Sequence, residues 1–242
     1  MREYLYILDP GKKRDYAAEM IFRDTPEILP GDPTLATPNR IIHYMDLVHI
    51  DKHKGVSYPD LVEKVFRRAN TVQLVNNYEL LVDGNGVGEP VIDMLRLRGL
   101  TPIPINSHGG TEVKKVYDEF GKVFTEGSET LKPLKILKEY HVPKADLVDA
   151  GRVILQQQRL RIAAGLHYTD DFKDQLMDFK PKPPNSRGYV GWEAQHDEIH
   201  DDLVICFLMG SWYIINRKDS TEVPEVEIHG EKKSTWNPMD YV

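Results

Sequence analysis

The chain has 242 residues, 40% hydrophobic and 9% aromatic, enough to bury one sizeable core and too short for two full domains. Its formal charge of −7 argues against a generic nucleic-acid coat, yet leaves room for a local basic rim beside an acidic site. The one cysteine, Cys206, excludes a disulfide framework and a cysteine-built zinc site, and its apolar setting reads as a buried, inert thiol.

Residues 4–8 are a short apolar β-type run that stops at Asp9-Pro10-Gly11, strong turn chemistry that leaves a carboxylate at a strand tip. Residues 16–23 read as a returning strand, 25–38 as a loop rich in Pro, Gly and Thr, and 40–50 as a third strand, together an antiparallel meander. The period then changes. Residues 58–76 carry apolar side chains near helical spacing, with Ser57 as N-cap and Pro59 in the first turn. A buried strand over 79–82, a Gly-rich turn over 83–88, a helix over 90–98 stopped by Gly99, and a strand over 101–105 follow. That alternation predicts the parallel half of an α/β sheet, with the last strand near an edge because Pro102 and Pro104 cannot donate ladder bonds.

Residues 106–143 are polar without a clean period and read as an insertion. Helices are expected over 144–158 and 168–179, with a short edge strand over 159–162 between them. The run 180–188, rich in Pro and Lys, reads as irregular. Residues 203–215 form a long apolar segment suited to a buried helix, with Asp201 and Asp202 in its first turn, where the helix dipole favours carboxylates. The expected domain spans 1–217, and 218–242 reads as a loosely packed tail. No stretch reaches the roughly 18 to 20 uncharged apolar residues of a membrane helix, and Met1-Arg2-Glu3-Tyr4 lacks a basic lead into an apolar run. The expectation is a soluble protein inside a cell, without a membrane partner.

Three acidic positions share a context: Asp9 and Asp83 at strand ends, and the pair Asp201-Asp202 opening a helix. If the first and fourth strands are neighbours and the last helix crosses them, these carboxylates converge, and a divalent cation relieves their repulsion. All-oxygen ligands suit Mg²⁺ or Mn²⁺, and two such ions about 3.5 to 4 Å apart activate water and stabilise a leaving oxygen in phosphodiester hydrolysis. Each residue also has an ordinary reading: a turn aspartate, another turn aspartate, a helix-start pair. His200 either orients a ligand and carries protons or simply starts the helix, and Asp197 is a fallback ligand. Lys12, Lys13 and Arg14 follow Asp9 directly and would border the site, while Lys180, Lys182 and Arg187 would form a rim for phosphates; each alone is an ordinary solvated charge.

These pieces resemble one family. Tyr6-Ile7-Leu8-Asp9-Pro10-Gly11, Leu81-Val82-Asp83-Gly84-Asn85-Gly86-Val87-Gly88 and His200-Asp201-Asp202-Leu203-Val204, with residues 144–148 through 159–162, are similar to the nuclease domain of tailed-bacteriophage terminase large subunits, a ribonuclease H and resolvase-like branch. The resemblance implies an α/β, ribonuclease H-like fold with a central mixed sheet of five or more strands, an antiparallel meander followed by parallel strands, flanked by helices. It implies Asp9, Asp83 and Asp202 as metal-binding acids, Asp201 as a helper, and cutting of concatemeric viral DNA during genome packaging in the cytoplasm of an infected bacterium. It also implies partners: double-stranded DNA, the terminase ATPase, the small terminase and the portal.

A complete large terminase carries a phosphate-binding loop, and no G-x-x-x-x-G-K-[ST] occurs here, so the chain is expected to lack ATPase activity. Other readings stand beside this one. A Holliday-junction resolvase or other ribonuclease H-like nuclease would use the same acids on another substrate. An actin- or sugar-kinase-like ATPase would need a second domain. A non-catalytic module that grips DNA or a portal would leave the acids as turn and cap residues. Nothing in the sequence resembles a base-reading module, so little sequence preference in cutting is expected.

Overall fold

The computed structural model describes residues 2–11, 16–31, 39–118, 136–183, 191–196 and 200–217. Its centre is an eight-stranded mixed sheet. Strands β1 (Tyr4–Asp9), β2 (Tyr16–Leu29) and β3 (Arg40–Lys54) form the antiparallel meander. Strands β4 (Tyr78–Asp83), β5 (Pro102–His108), β6 (Lys114–Asp118), β7 (Ile136–Pro143) and β8 (Leu160–Ile162) complete it in the order β6-β7-β5-β4-β1-β2-β3-β8. The β1–β4, β4–β5, β5–β7 and β3–β8 pairs are parallel. A separate ribbon joins β9 (Phe179–Pro181) to β10 (Trp192–Ala194).

Helices cover both faces. On one lie α1 (Tyr58–Ala69) and α2 (Gly88–Leu97), whose Leu61, Val62, Val65, Val91, Ile92 and Leu95 pack on Tyr6, Leu8, Leu80 and Val82. On the other lie α3 (Lys144–Gln156), α4 (Thr169–Asp178) and α5 (Asp202–Asn216), packed on Leu5, Ile7, Met20, Phe22, Met45 and Leu81. Successive strand residues point to opposite faces, so β1 and β4 feed both cores through alternate positions. α5 is apolar nearly all round and therefore central. At its far end Arg217 pairs with Asp24, which also bonds His43 at 2.8 Å; both are buried, so the ion pair is compensated rather than exposed to an apolar core.

Several boundaries depart from the sequence reading, each for a local reason. β2 runs to Leu29, through Pro26, where a loop from residue 25 is expected. Beyond Arg23 it has β3 as its only neighbour, and a one-sided strand tolerates proline. α1 ends at Ala69 rather than at residue 76. The side chains of Asn70 and Thr71 bond back to the carbonyls of Phe66 and Arg68, ending the ladder, while Leu74 stays buried and prolongs the apolar period.

β5 is interior, not an edge strand. Pro102 and Pro104 nevertheless sit where only β4 flanks it, because β7 pairs from Ile105 onward. The segment expected as an irregular insertion supplies β6 and β7; β6 is the sheet's edge strand with exposed Lys114, Lys115 and Val116, so it shows no apolar alternation. Likewise Lys180 and Pro181, expected as irregular, belong to β9, a strand of a two-stranded ribbon with open edges. The tail over 218–242 lies outside the described residues.

One irregularity decides which side chains of β3 face which core. The β2–β3 register shifts at Ile21/Phe22, which oppose His49 and Leu47, so Val48 is an extra residue. Met45 and Leu47 face the α5 side before it, and Ile50 does after it. The bulge thus turns His49, Asp51 and His53 to the α1 side.

The tightest contact between α5 and the sheet is at Gly210, where an added Cβ would stand 2.4 Å from Ile7 Cδ1 and 3.2 Å from Met45 Cε. Gly210→Val is expected to cost about 1 to 3 kcal/mol or more by overpacking. The urea midpoint of the variant measures it, and an unchanged midpoint would contradict the close packing.

Candidate metal centre

Asp9 ends β1 and Asp83 ends β4, and the two parallel strands are paired up to Leu8 and Val82, so the aspartates are lateral neighbours. Ile7 and Leu81 face α5, and the alternation places Asp9 and Asp83, two residues on, on that same face. α5 begins above them. Its Cys206, one turn after Asp202, donates to Ala18 O at 3.6 Å, and Ala18 is the register partner of Asp9. The strand tip, strand tip and helix start therefore meet at one place.

The electrostatics report the same proximity. Burial of Asp9, then the carboxylates of Asp83 and Asp202 and, more weakly, Asp201, push its pKa well above the usual carboxylate range; a Gly11 amide bond at 3.3 Å opposes this. Burial also raises Asp83, against two hydrogen bonds from Asn85 at 2.9 Å and the nearby Lys144 ammonium. Burial, then Asp9 and Asp202, push the Cys206 thiol well up, so it stays protonated and inert as expected.

Neighbouring residues set how the acidic positions are held. Asp201 occupies the N-cap position of α5 without a capping side-chain bond, and Gln175 of α4, 3% exposed, accepts from Leu203 N at 3.0 Å instead. Asn85 is itself anchored on Ser107 at 2.8 Å and fixes one oxygen of Asp83. Gly84 and Gly88 make the turn possible, since a Cβ would strike Asn106 at 2.1 Å and Asp83 O at 2.0 Å. An all-oxygen set of aspartates at strand and helix ends fits Mg²⁺ or Mn²⁺.

A basic wall adjoins the acids. Across the sheet Asp9 pairs with Ala18 and Ala18 with Lys52, so Lys52 stands two strand spacings, about 10 Å, from Asp9. Lys52 bonds Asp171 at 3.2 Å and lies over the Tyr16 ring at 4.4 Å, with exposed Lys54 at 5.1 Å from the same ring. His200 packs its ring edge-on to Tyr16, centroids 5.7 Å apart, and these residues line one cleft with Gln175. Sequence reasoning missed Lys52, Lys54, Lys144, Asn85 and Gln175. The first two follow only from the register after the bulge, Lys144 and Gln175 from contacts distant in sequence, and Asn85 from a local turn bond to Asp83 that the Asp-Gly-Asn-Gly run could have signalled.

Of the expected rim, Lys180 and Lys182 are exposed on and after β9. Lys12, Lys13, Arg14, Arg187 and Asp197 lie outside the described residues. Among the described residues the group whose ligand atoms all fall within 4.8 Å of one another is a different one, Glu19, Asp51 and His53, on the opposite face. The four aspartates are joined by electrostatic coupling rather than by so tight a span.

No family model matches the sequence, and no curated protein matches it. The fold is similar to that of the large terminase nuclease from thermophilic phage G20c, at 14% identity and a TM-score of 0.53, covering 88% of this chain and 82% of that one. It is also similar to a variant nuclease domain of the large terminase subunit of bacterial virus Sf6, solved with manganese and β-thujaplicinol, at 11% identity and a TM-score of 0.51, over 86% and 87% of the two chains. The class is thereby defined: a ribonuclease H-like fold of the kind seen in terminase nuclease domains.

The raised pKa of Asp9 has a thermodynamic sign. Without metal, the native state holds a proton that the unfolded chain has released above about pH 3.9, so this group's contribution to stability declines as pH rises from there through the raised native value. In EDTA at pH 8, Asp9→Asn should therefore melt above the parent, by about 2 to 4 °C for each kcal/mol of relieved repulsion, and the gap should close near pH 4. Thermal melts across that range decide it; an Asn variant no more stable at pH 8 would refute the coupling.

Proposed function

We propose that this chain is a divalent-cation-dependent endonuclease that hydrolyses phosphodiester bonds of double-stranded viral DNA during genome packaging. The observation that carries this reading is the meeting of Asp9, Asp83 and Asp202 at the ends of rigid elements, close enough that Asp83 and Asp202 both raise the carboxyl of Asp9. These three would hold the ions, two with substrate bound, and Asp201 would stand beside them. The ions supply what the side chains lack: polarisation of the phosphate, an activated water and neutralisation of the leaving oxygen.

The chain's own groups do the rest. Asn85 fixes one oxygen of Asp83 with two hydrogen bonds, which would restrict the orientation of the carboxylate toward an ion. Gln175 caps α5 through Leu203 N, so Asp201 is not used as the side-chain cap. Lys52 and Lys54 offer positive charge to a DNA backbone entering along the β2–β3 side, and Tyr16 holds both ammonium groups over its face. Lys180 and Lys182 would extend this track; Arg187, and Lys12, Lys13 and Arg14, which follow Asp9 in sequence, are proposed as further phosphate contacts. His200 stands where it could orient or relay protons beside Asp201. The reading puts the protein in the cytoplasm of an infected bacterium, with a terminase ATPase domain or subunit, small terminase and portal as partners and with the packaging motor's ATP hydrolysis outside this chain.

Supercoiled plasmid incubated with the parent in Mg²⁺ or Mn²⁺ without ATP should be nicked and linearised, and EDTA should stop it. Asp9→Asn and Asp202→Asn should each slow cleavage by about a hundredfold or more. Absence of cleavage with every metal, or full activity in Asp9→Asn, would sink the reading. Lys54→Ala should weaken duplex binding measured in Ca²⁺ and reduce the slope of log K against log salt by about 0.9. An unchanged slope would remove Lys54 from the track.

A further inference from the structure

We propose that the protein carries a second metal site, for a transition-metal ion of the zinc type, on the sheet face opposite the aspartates, formed by Glu19, Asp51 and His53 with His49 as fourth ligand. The placement comes from the strands. His49, Asp51 and His53 alternate along β3 past the Val48 bulge, so they share one face, and Glu19 is the direct register partner of Asp51. That face is the α1 side, where Glu19 is fully buried and His53 is 8% exposed.

The spacing is that of a coordination sphere. Metal bonds of about 2.0 to 2.1 Å in a tetrahedron separate ligand atoms by roughly 3.3 Å. Here Glu19 Oε1 lies 3.0 Å from His53 Nε2, His53 Nε2 lies 3.8 Å from Asp51 Oδ2, and the ligand atoms of these three residues all fall within 4.8 Å of one another; His49 Nε2, 3.7 Å from Glu19 Oε1, stands outside that span and would turn inward to complete the set. Two unsatisfied atoms point the same way. His49 Nε2 is buried and takes no hydrogen bond, and Arg68 Nη1, although 3.1 Å from Glu19 Oε1, is also buried without one. Arg68 is thus a loosely fitted cation between two carboxylates, 3.7 Å from Asp51 on its other arm. It stands in the last turn of α1 with 26% of its side chain exposed, so it can swing outward.

The surroundings supply orientation and access. Tyr6 donates its hydroxyl to Glu19 Oε2, which fixes the carboxylate and leaves Oε1 toward the imidazoles. Asp51 and His49 are each 30% exposed and give an ion its way in. Two imidazoles with two carboxylates select Zn²⁺ or Co²⁺ over Mg²⁺, the reverse of the all-oxygen aspartate site. A bound ion would lock the β2–β3 ribbon on either side of its bulge. Ion binding at this face is independent of nuclease activity at the other.

The test is Co²⁺ titration of the full chain in excess Mg²⁺, read by visible absorption. One equivalent should give tetrahedral bands, retained in the Asp9→Asn/Asp83→Asn double variant. The bands should be lost in His53→Gln and in His49→Gln, the latter being partly exposed and so a safer substitution for folding. Arg68→Gln should tighten binding, because a competing cation is gone. The proposal is overturned if the parent gives no bands, if they vanish in the aspartate double variant while persisting in His53→Gln, or if Arg68→Gln loses stability without gaining affinity.

Discussion

The packing of α5 across the sheet is the constraint on which the acidic site depends. Eleven of its fifteen residues are buried, and Gly210 lets its backbone come down onto Ile7. Burial of Leu203, Val204, Phe207, Leu208, Met209, Trp212 and Ile214 is worth on the order of 10 to 20 kcal/mol. Two carboxylates about 6 Å apart repel by roughly 3 kcal/mol at an effective dielectric near 20. The hydrophobic term is larger, so the fold can hold Asp202 near Asp9 and Asp83 and leave the repulsion to be met by a proton or a cation. The helix is an anvil for the site, and the charges are strained because the core is not.

A single extra residue separates two chemistries. Were Val48 paired as an ordinary strand residue instead of bulged, the alternation after Leu47 would continue unbroken, and His49, Asp51 and His53 would face α5 beside the aspartates. With the bulge, Lys52 and Lys54 take that face and the histidines go to the other. The acids thereby gain cationic neighbours rather than imidazoles, and Glu19 gains partners that compensate its burial. Its carboxyl lies below the usual range even though burial, the largest influence, raises it; bonds from His53 and Tyr6 and the charge of Arg68 more than offset that. Burial and Arg68 hold His49 below its ordinary value, so its ring is neutral at pH 7.

Much of this was legible in the sequence because the elements that present the acids are short, apolar and bounded by turn chemistry. The strand tips at Asp9-Pro10-Gly11 and Asp83-Gly84, and the apolar run after Asp202, carry their own stop and start signals, and a meander followed by parallel strands could be read from them; the ribonuclease H-like character came from the family resemblance. What was hidden depends on partners. Pro26 and Pro102 suggested loop and edge, but a strand is an edge only where its neighbour stops, and neighbours are not written in the strand itself. β6 escaped notice because an edge strand with both faces solvated has no pattern to show. The bulge left no mark either, since Val48 is an ordinary strand residue, and with it went the prediction of Lys52 and Lys54. The Gln175 cap joins residues 28 apart and needs α4 folded against α5.

On the nuclease reading, the same arrangement couples cation and DNA. Four aspartates held near one another in a chain of charge −7 repel a phosphate backbone, and Lys52 is partly committed to Asp171. Ions at the acids reverse the local sign, so each ligand must strengthen the other by the same factor. DNA bound along the β2–β3 side would bring phosphate oxygens toward ions held by Asp9, Asp83 and Asp202, and those ions would offset the negative field that the acids present to DNA. Burial and like charge raise the carboxyl of Asp9 well above its ordinary value, so an ion bound there would compete with a proton, and seated DNA would favour the ion.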